Sequence, residues 1–99
     1  MTIKTFEENG MTVVAPEGKI DHVTVKEFED KAVEAAEARS NTLIIDMAGV
    51  EYVSSAALRA ILKINDIMDG RGGLMLRNVN NKIMEILRIT CIAQYLDIR

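Results

Sequence analysis

Leu43-Ile44-Ile45 is a short, wholly apolar run closed by Asp46, and it stands between two stretches whose apolar residues recur at helical spacing. A strand with one wet face alternates; a run without alternation suits the centre of a parallel sheet, covered better than its neighbours. Helical segments on both sides of such a strand imply β-α-β crossovers. The 99 residues, nearly half apolar, about a quarter charged and with a single proline, suffice for one core. The expectation is one α/β domain over residues 1–99.

The flanking segments follow from the same reading. Thr2 to Glu8 and Met11 to Ala15 are β-rich runs separated by Asn9-Gly10, the strongest short hairpin signal, so they should pair antiparallel. From Val25 the period changes, with Val25, Phe28, Ala32, Ala35 and Ala36 on one side and Lys26, Glu29, Asp30, Glu34 and Glu37 on the other. Thr24 and Glu27 have the spacing of a capping box that would start this helix. A second helix begins near Ser54 or Ser55, carries Leu58, Ile61, Leu62 and Met68 inward, and ends at Gly70-Arg71-Gly72-Gly73. Leu74-Met75-Leu76 is the next strand, Asn80 caps a third helix through about Arg88, and Tyr95 to Ile98 is a last short strand.

The resulting order, β-β-α-β-α-β-α-β, predicts a mostly parallel sheet with an antiparallel N-terminal edge hairpin. Crossovers are right-handed, so strands that step steadily across the sheet place the helices mainly on one face.

Several function classes find no support. A net charge of -3 without a basic run argues against nucleic acid as a partner. No stretch of eighteen apolar residues is present, and Met1 to Glu8 lacks the basic-then-apolar pattern of a signal peptide, so no membrane insertion and a cytoplasmic location are expected. Cys91, the single cysteine, is read as a buried thiol among Ile89, Thr90 and Ile92. His22, the only histidine, has no second ligand or nucleophile at useful spacing and is read as a solvent-facing loop residue. The six methionines fill core positions and make no metal site. No phosphate-binding loop and no Gly-x-Ser-x-Gly elbow occurs, so neither a cofactor nor an enzyme activity is expected.

Chemistry is then sought at a helix start. From Asp46 to Arg59 the chain leaves a buried strand, crosses a loop and enters a helix that opens with Ser54 and Ser55. The first turn of a helix presents unpaired N–H groups and the positive end of its dipole, which can hold a phosphate. The same two serines also suit a plain N-cap. Asp21 has a parallel pair of readings, as a charge near a helix start or as part of a site. Asp46 is a second-tier candidate, because an Asp closing a strand is also ordinary turn chemistry.

Together with Gly18-Lys19-Ile20-Asp21, this segment resembles the STAS family of anti-sigma factor antagonists, from end to end in the order of elements. The family's hallmark is an apolar strand ending in Asp, followed by a loop and an Asp-Ser-Ser/Thr-Gly-Leu type motif. The resemblance implies that Ser55 is the phosphorylated residue, with Ser54 the neighbouring alternative. It implies a partner surface of Asp21, His22, Ser54, Ser55, Leu58 and Arg59. It also implies two protein partners: an anti-sigma factor with serine kinase activity, which is sequestered until Ser55 is phosphorylated, and a serine phosphatase that resets the switch. The chain departs from the motif where Ser54 replaces the aspartate, Ala56 the second hydroxyl residue and Ala57 the glycine. The alternative implied by the same family is a STAS scaffold or accessory subunit in a stress-signalling or membrane-transport complex.

Overall fold

Asn9 and Gly10 both take left-handed backbone, with φ of +52° and +78°, as a two-residue type I′ turn demands. The turn joins β1 (Thr2–Glu8) antiparallel to β2 (Met11–Ile20), setting Glu8 opposite Met11 and Thr2 opposite Glu17. The computed structural model describes residues 1–38 and 41–99. It continues with α1 (Val25–Ala38), β3 (Leu43–Asp46), β4 (Val50–Val53), α2 (Ser55–Met68), β5 (Leu74–Arg77), α3 (Asn81–Ile89), a turn of 3-10 helix at Ala93–Tyr95, and β6 (Asp97–Ile98).

Sheet order is β1-β2-β3-β5-β6, parallel after the first hairpin, with β4 beside β2. The strands step in one direction, so right-handed crossovers put the helices on one face, as expected. Their inner residues meet the sheet in one cluster: Phe28, Ala32 and Ala36 of α1, Ile61, Ile64 and Met68 of α2, and Ile83 and Leu87 of α3, against Val14, Ile20, Leu43, Ile45, Leu74 and Leu76. Leu62, expected inside, is only half-buried, while Ile64 is fully buried.

Two strands differ from the sequence expectation. β2 runs on through Pro16 to Ile20, past Ala15, where the expected run ends. The reason lies in which edge each N–H serves. Thr12 N–H donates to Thr42 O at 3.0 Å and Gly18 N–H to Gly49 O at 2.8 Å, so this parity of β2 faces the inner edge. Pro16 shares the parity and falls between the β3 pairing, which ends at Val14, and the β4 pairing, which starts at Gly18. No strand waits there for its missing N–H. At Gly18 the register shifts, and its φ of +99° is open to glycine at no steric cost. One long strand thus serves two short ones in turn. The second, β4, is absent from the sequence reading because Val-Glu-Tyr-Val, buried at its ends and exposed between, follows no period of two.

Two local expectations are corrected. Thr24 and Glu27 form no capping box: Asp21 caps the entry to α1, its Oδ1 accepting from Val23 N–H at 2.9 Å and Thr24 N–H at 3.1 Å. Thr24 Oγ1 instead donates to Lys19 O at 2.7 Å. Cys91 is exposed, not buried, because it follows the C-cap Thr90 in left-handed backbone (φ +63°), where the chain turns away from the core.

The face away from the helices carries a row across the sheet, Phe6, Val13, Ile44 and Met75, opposed in register. Val13 and Ile44 are fully buried yet stand outside the core cluster that the helices form with the sheet. Arg77 reaches from β5 across this face: its Nε donates to Asp46 Oδ2 at 3.0 Å, and its two Nη atoms donate to the Glu8 carboxylate on β1. The stem of an arginine can cover apolar surface while its head stays paired. The hydrogen bonds that Arg77 donates to Glu8, then to Asp46, raise the Arg77 pKa, and the bond to Glu8 lowers the pKa of that carboxyl.

Candidate functional site

Ser54 and Ser55 sit where β4 gives way to α2, and the backbone gives them different tasks. Ser54 is extended (φ -88°, ψ 173°) and is the N-cap: its Oγ accepts from Ala57 N–H at 3.2 Å. Ser55 is the first helical residue, its side chain exposed, and among the described residues its hydroxyl has no partner within the chain. It stands beside the free N–H groups of the first turn of a helix of 14 residues, where negative charge is stabilised.

The neighbouring elements bring the other candidates to the same place. Val53 is paired with Ile20, and Ser54 N–H donates to Ile20 O at 2.9 Å, so the Asp21-His22 turn lies directly beside the two serines. Hydrogen bonds from the N–H groups of Val23 and Thr24 hold the Asp21 carboxyl below the ordinary carboxylate range, against the opposing effect of desolvation. His22 is exposed, and so is Arg59, four residues along α2 from Ser55. Residues at that spacing lie on one helix face. Leu58 does not share this surface, which corrects its expected role: it is 6% exposed and packs into the core, anchoring α2 from beneath.

Asp46 is accounted for otherwise. Partial burial opposes its charge, yet donors from Asn78 Nδ2 (3.0 Å), Ala48 N–H (3.0 Å) and Arg77 outweigh this and lower its pKa. These bonds tie the ends of β3 and β5 together. The carboxylate is a structural joint and no part of the serine surface.

Residues that sequence reasoning missed flank the site. A shallow concavity of about 420 Å³ is lined by Lys19, Asp21, Glu51, Tyr52 and Lys82, with Tyr52 opposite Lys19 in register. Tyr52 is 47% exposed and Val23, next to His22, is 73% exposed. Their signal was hidden because Tyr52 and Glu51 belong to β4. The start of α3 is held to the same strand, Asn80 Nδ2 donating to Val50 O at 3.3 Å while its Oδ1 caps Ile83 N–H at 2.8 Å. Among the described residues no three His, Cys, Asp or Glu side chains are grouped to hold a metal ion, and no helix is long and apolar enough to cross a membrane.

Comparison with known proteins gives the following. The STAS domain profile matches residues 2–99. No curated protein matches at the level of sequence. An anti-sigma factor antagonist from Mycobacterium paratuberculosis has a similar structure (TM-score 0.90, 20% identity, 98% of this chain and 83% of that one). So does the Bacillus cell fate determinant SpoIIAA in its phosphorylated form (TM-score 0.72, 14% identity, 99% and 91%). The murine Solute Carrier 26 family member A9 anion transporter contains the same fold in a much longer chain (TM-score 0.78, 19% identity, 94% and 16%).

Proposed function

Because the chain belongs to the STAS domain family, we propose that it is an anti-sigma factor antagonist, a binding protein and not an enzyme, switched by phosphorylation of Ser55. The observation that carries this reading is the exposed Ser55 hydroxyl at the start of α2, without a partner among the described residues and beside Asp21, His22 and Arg59. Unmodified, this surface binds an anti-sigma factor with serine kinase activity and so frees a sigma factor. Phosphate transferred to Ser55 adds about -1.5 to -2 charges where the partner had met a neutral hydroxyl, and the complex is lost through like-charge repulsion and desolvation. Arg59, one turn on, would be drawn to that phosphate and withdrawn from the partner. A serine phosphatase restores the binding form.

Two kinds of support come from similar proteins, one an anti-sigma factor antagonist by name and one solved in a phosphorylated form. The match within an anion transporter favours a second reading, a STAS subunit that serves a membrane-transport or stress-signalling complex as a scaffold. The readings separate in one experiment. Wild-type and Ser55→Asp proteins serve as bait in cell extract, and captured proteins are identified by mass spectrometry. A serine kinase held by wild type and lost with Ser55→Asp supports the switch. A complex indifferent to charge at Ser55 supports the scaffold. Phosphate appearing on Ser54 in the Ser55→Ala protein would overturn the assignment of the acceptor.

A further inference from the structure

The concavity beside the serine surface is lined by Lys19 of β2 and Lys82 of α3, both with exposed side chains. Among the described residues neither lysine forms an ion pair. We propose that this concavity takes an acidic segment of the anti-sigma factor, with one of its carboxylates in reach of both ammonium groups. The site rests on the binding function proposed above and makes Lys19 and Lys82 specificity residues for that partner.

Hydrogen bonds between three elements fix the two lysine stems. β2 changes register at Gly18, whose N–H donates to Gly49 O at 2.8 Å, and from there Lys19 stands opposite Tyr52 of β4. Ile20 and Val53, the next pair along, are buried in the core that the helices cover, so Lys19 and Tyr52 face the other side of the sheet. Lys82 lies in the first turn of α3, and that helix start is tied to β4 by Asn80 Nδ2, which donates to Val50 O at 3.3 Å. The backbone of the site is thus in place before a partner arrives, and only the lysine rotamers remain to be ordered on binding.

Charge selects an acidic occupant. Asp21 and Glu51 also line the concavity, but the four charges are not equally available. Asp21 Oδ1 is engaged at the entry to α1, where it accepts from Val23 N–H and Thr24 N–H. Glu51 on β4 therefore stands against two cations. Lys82 is further out of balance, because the first turn of α3 holds no acidic residue and the helix dipole there works against a cation. An arriving carboxylate relieves both lysines, whereas a basic segment would meet two ammonium groups for one uncommitted carboxylate. Tyr52, 47% exposed, and the lysine stems add apolar wall for the rest of the segment. Asp21 belongs both to this concavity and to the turn beside Ser54 and Ser55, so one partner can cover the two together.

The probe is the kinase captured by wild-type bait, purified and mixed with the full chain. A carbodiimide joins an ammonium group to a carboxylate in contact with it, and mass spectrometry reads the linked peptides. Links from Lys19 or Lys82 to an aspartate or glutamate of the kinase are expected. Calorimetric titration should find binding at least about tenfold weaker for the Lys19→Gln, Lys82→Gln double variant, and unchanged for Lys31→Gln on α1. The double variant breaks no ion pair, so its melting temperature should match that of wild type. Ser55→Asp, titrated alongside, separates the two claims. If it loses the kinase while the double variant keeps full affinity, the docking site is overturned and the switch stands. If the double variant loses the kinase while Ser55→Asp keeps it, the docking site stands and the switch is overturned. Links from Asp21 or Glu51 to lysines of the kinase, with none from Lys19 or Lys82, would mean a basic segment and overturn the proposal, and a bait that holds no kinase would overturn both claims.

Discussion

Ser54 and Ser55 carry the same side chain and differ in task because the backbone places one before the helix and the other in it. Ser54 Oγ is committed to Ala57 N–H, whereas among the described residues the Ser55 hydroxyl has no partner. Ser54→Ala should therefore cost about 0.5–2 kcal/mol, lowering the melting temperature by several degrees, the loss expected for an N-cap. Ser55→Ala should change stability by less than about 0.5 kcal/mol, since alanine is the best helix former and no bond is lost. Thermal unfolding of both variants checks the pair, and equal losses would contradict the assignment of the cap. From sequence, two adjacent serines before an apolar helical run marked the place but left cap and acceptor open. Which serine was which depended on one residue of helix phase, and helix starts are least legible at that resolution. Leu58 shows the same limit: the motif put it at the site, and the helix phase buried it.

At the scale of elements, α2 meets a phosphate with its positive end and its buried side elsewhere. Charge near a helix N-terminus favours the helix by about 0.3–1 kcal/mol. Protein phosphorylated on Ser55 should melt at the temperature of the unmodified form or slightly above it, with backbone amide shifts concentrated near residues 20–24 and 52–60. A clear fall in melting temperature, or shifts spread across the sheet, would mean a conformational switch. Elements of strong period were legible beforehand: the hairpin by Asn9-Gly10, α1 and α2 by helical spacing, β3 by its apolar run. β4 was not, because its four residues have neither alternation nor a continuous apolar stretch, and it exists by borrowing the free end of β2 beyond Pro16. That borrowed strand brings Tyr52 and Glu51 to the rim of the serine surface. If the partner docks there, Arg59→Glu should weaken capture at least about tenfold, and Glu37→Lys, on the outer face of α1, should leave it unchanged.

In the whole molecule, one sheet presents two unlike faces, a helix-covered core and an open face closed by Arg77. The expectation of helices mainly on one face left the second face open, but no local pattern revealed its closure by Arg77, since Glu8, Asp46 and Arg77 are far apart in sequence and meet through the strand order. The Glu8 and Asp46 carboxyls are lowered in the folded chain, so their contribution is fully present above the ordinary carboxyl pKa of about 4 and is lost as pH falls through the lowered folded values. Arg77→Leu should lower the melting temperature at pH 7, and the gap to wild type should narrow as pH drops below about 4. A gap independent of pH would mean that Arg77 acts by packing alone. The serine surface lies on the end of the sheet where β2, β4 and α2 converge, and the central claim is that charge on Ser55 governs binding there without disturbing this architecture. Calorimetric titration of the kinase captured by wild-type bait tests it most directly, using unmodified protein and protein phosphorylated on Ser55 alone. Binding at least about tenfold weaker after phosphorylation is the predicted result. Equal affinities for the two forms would contradict it.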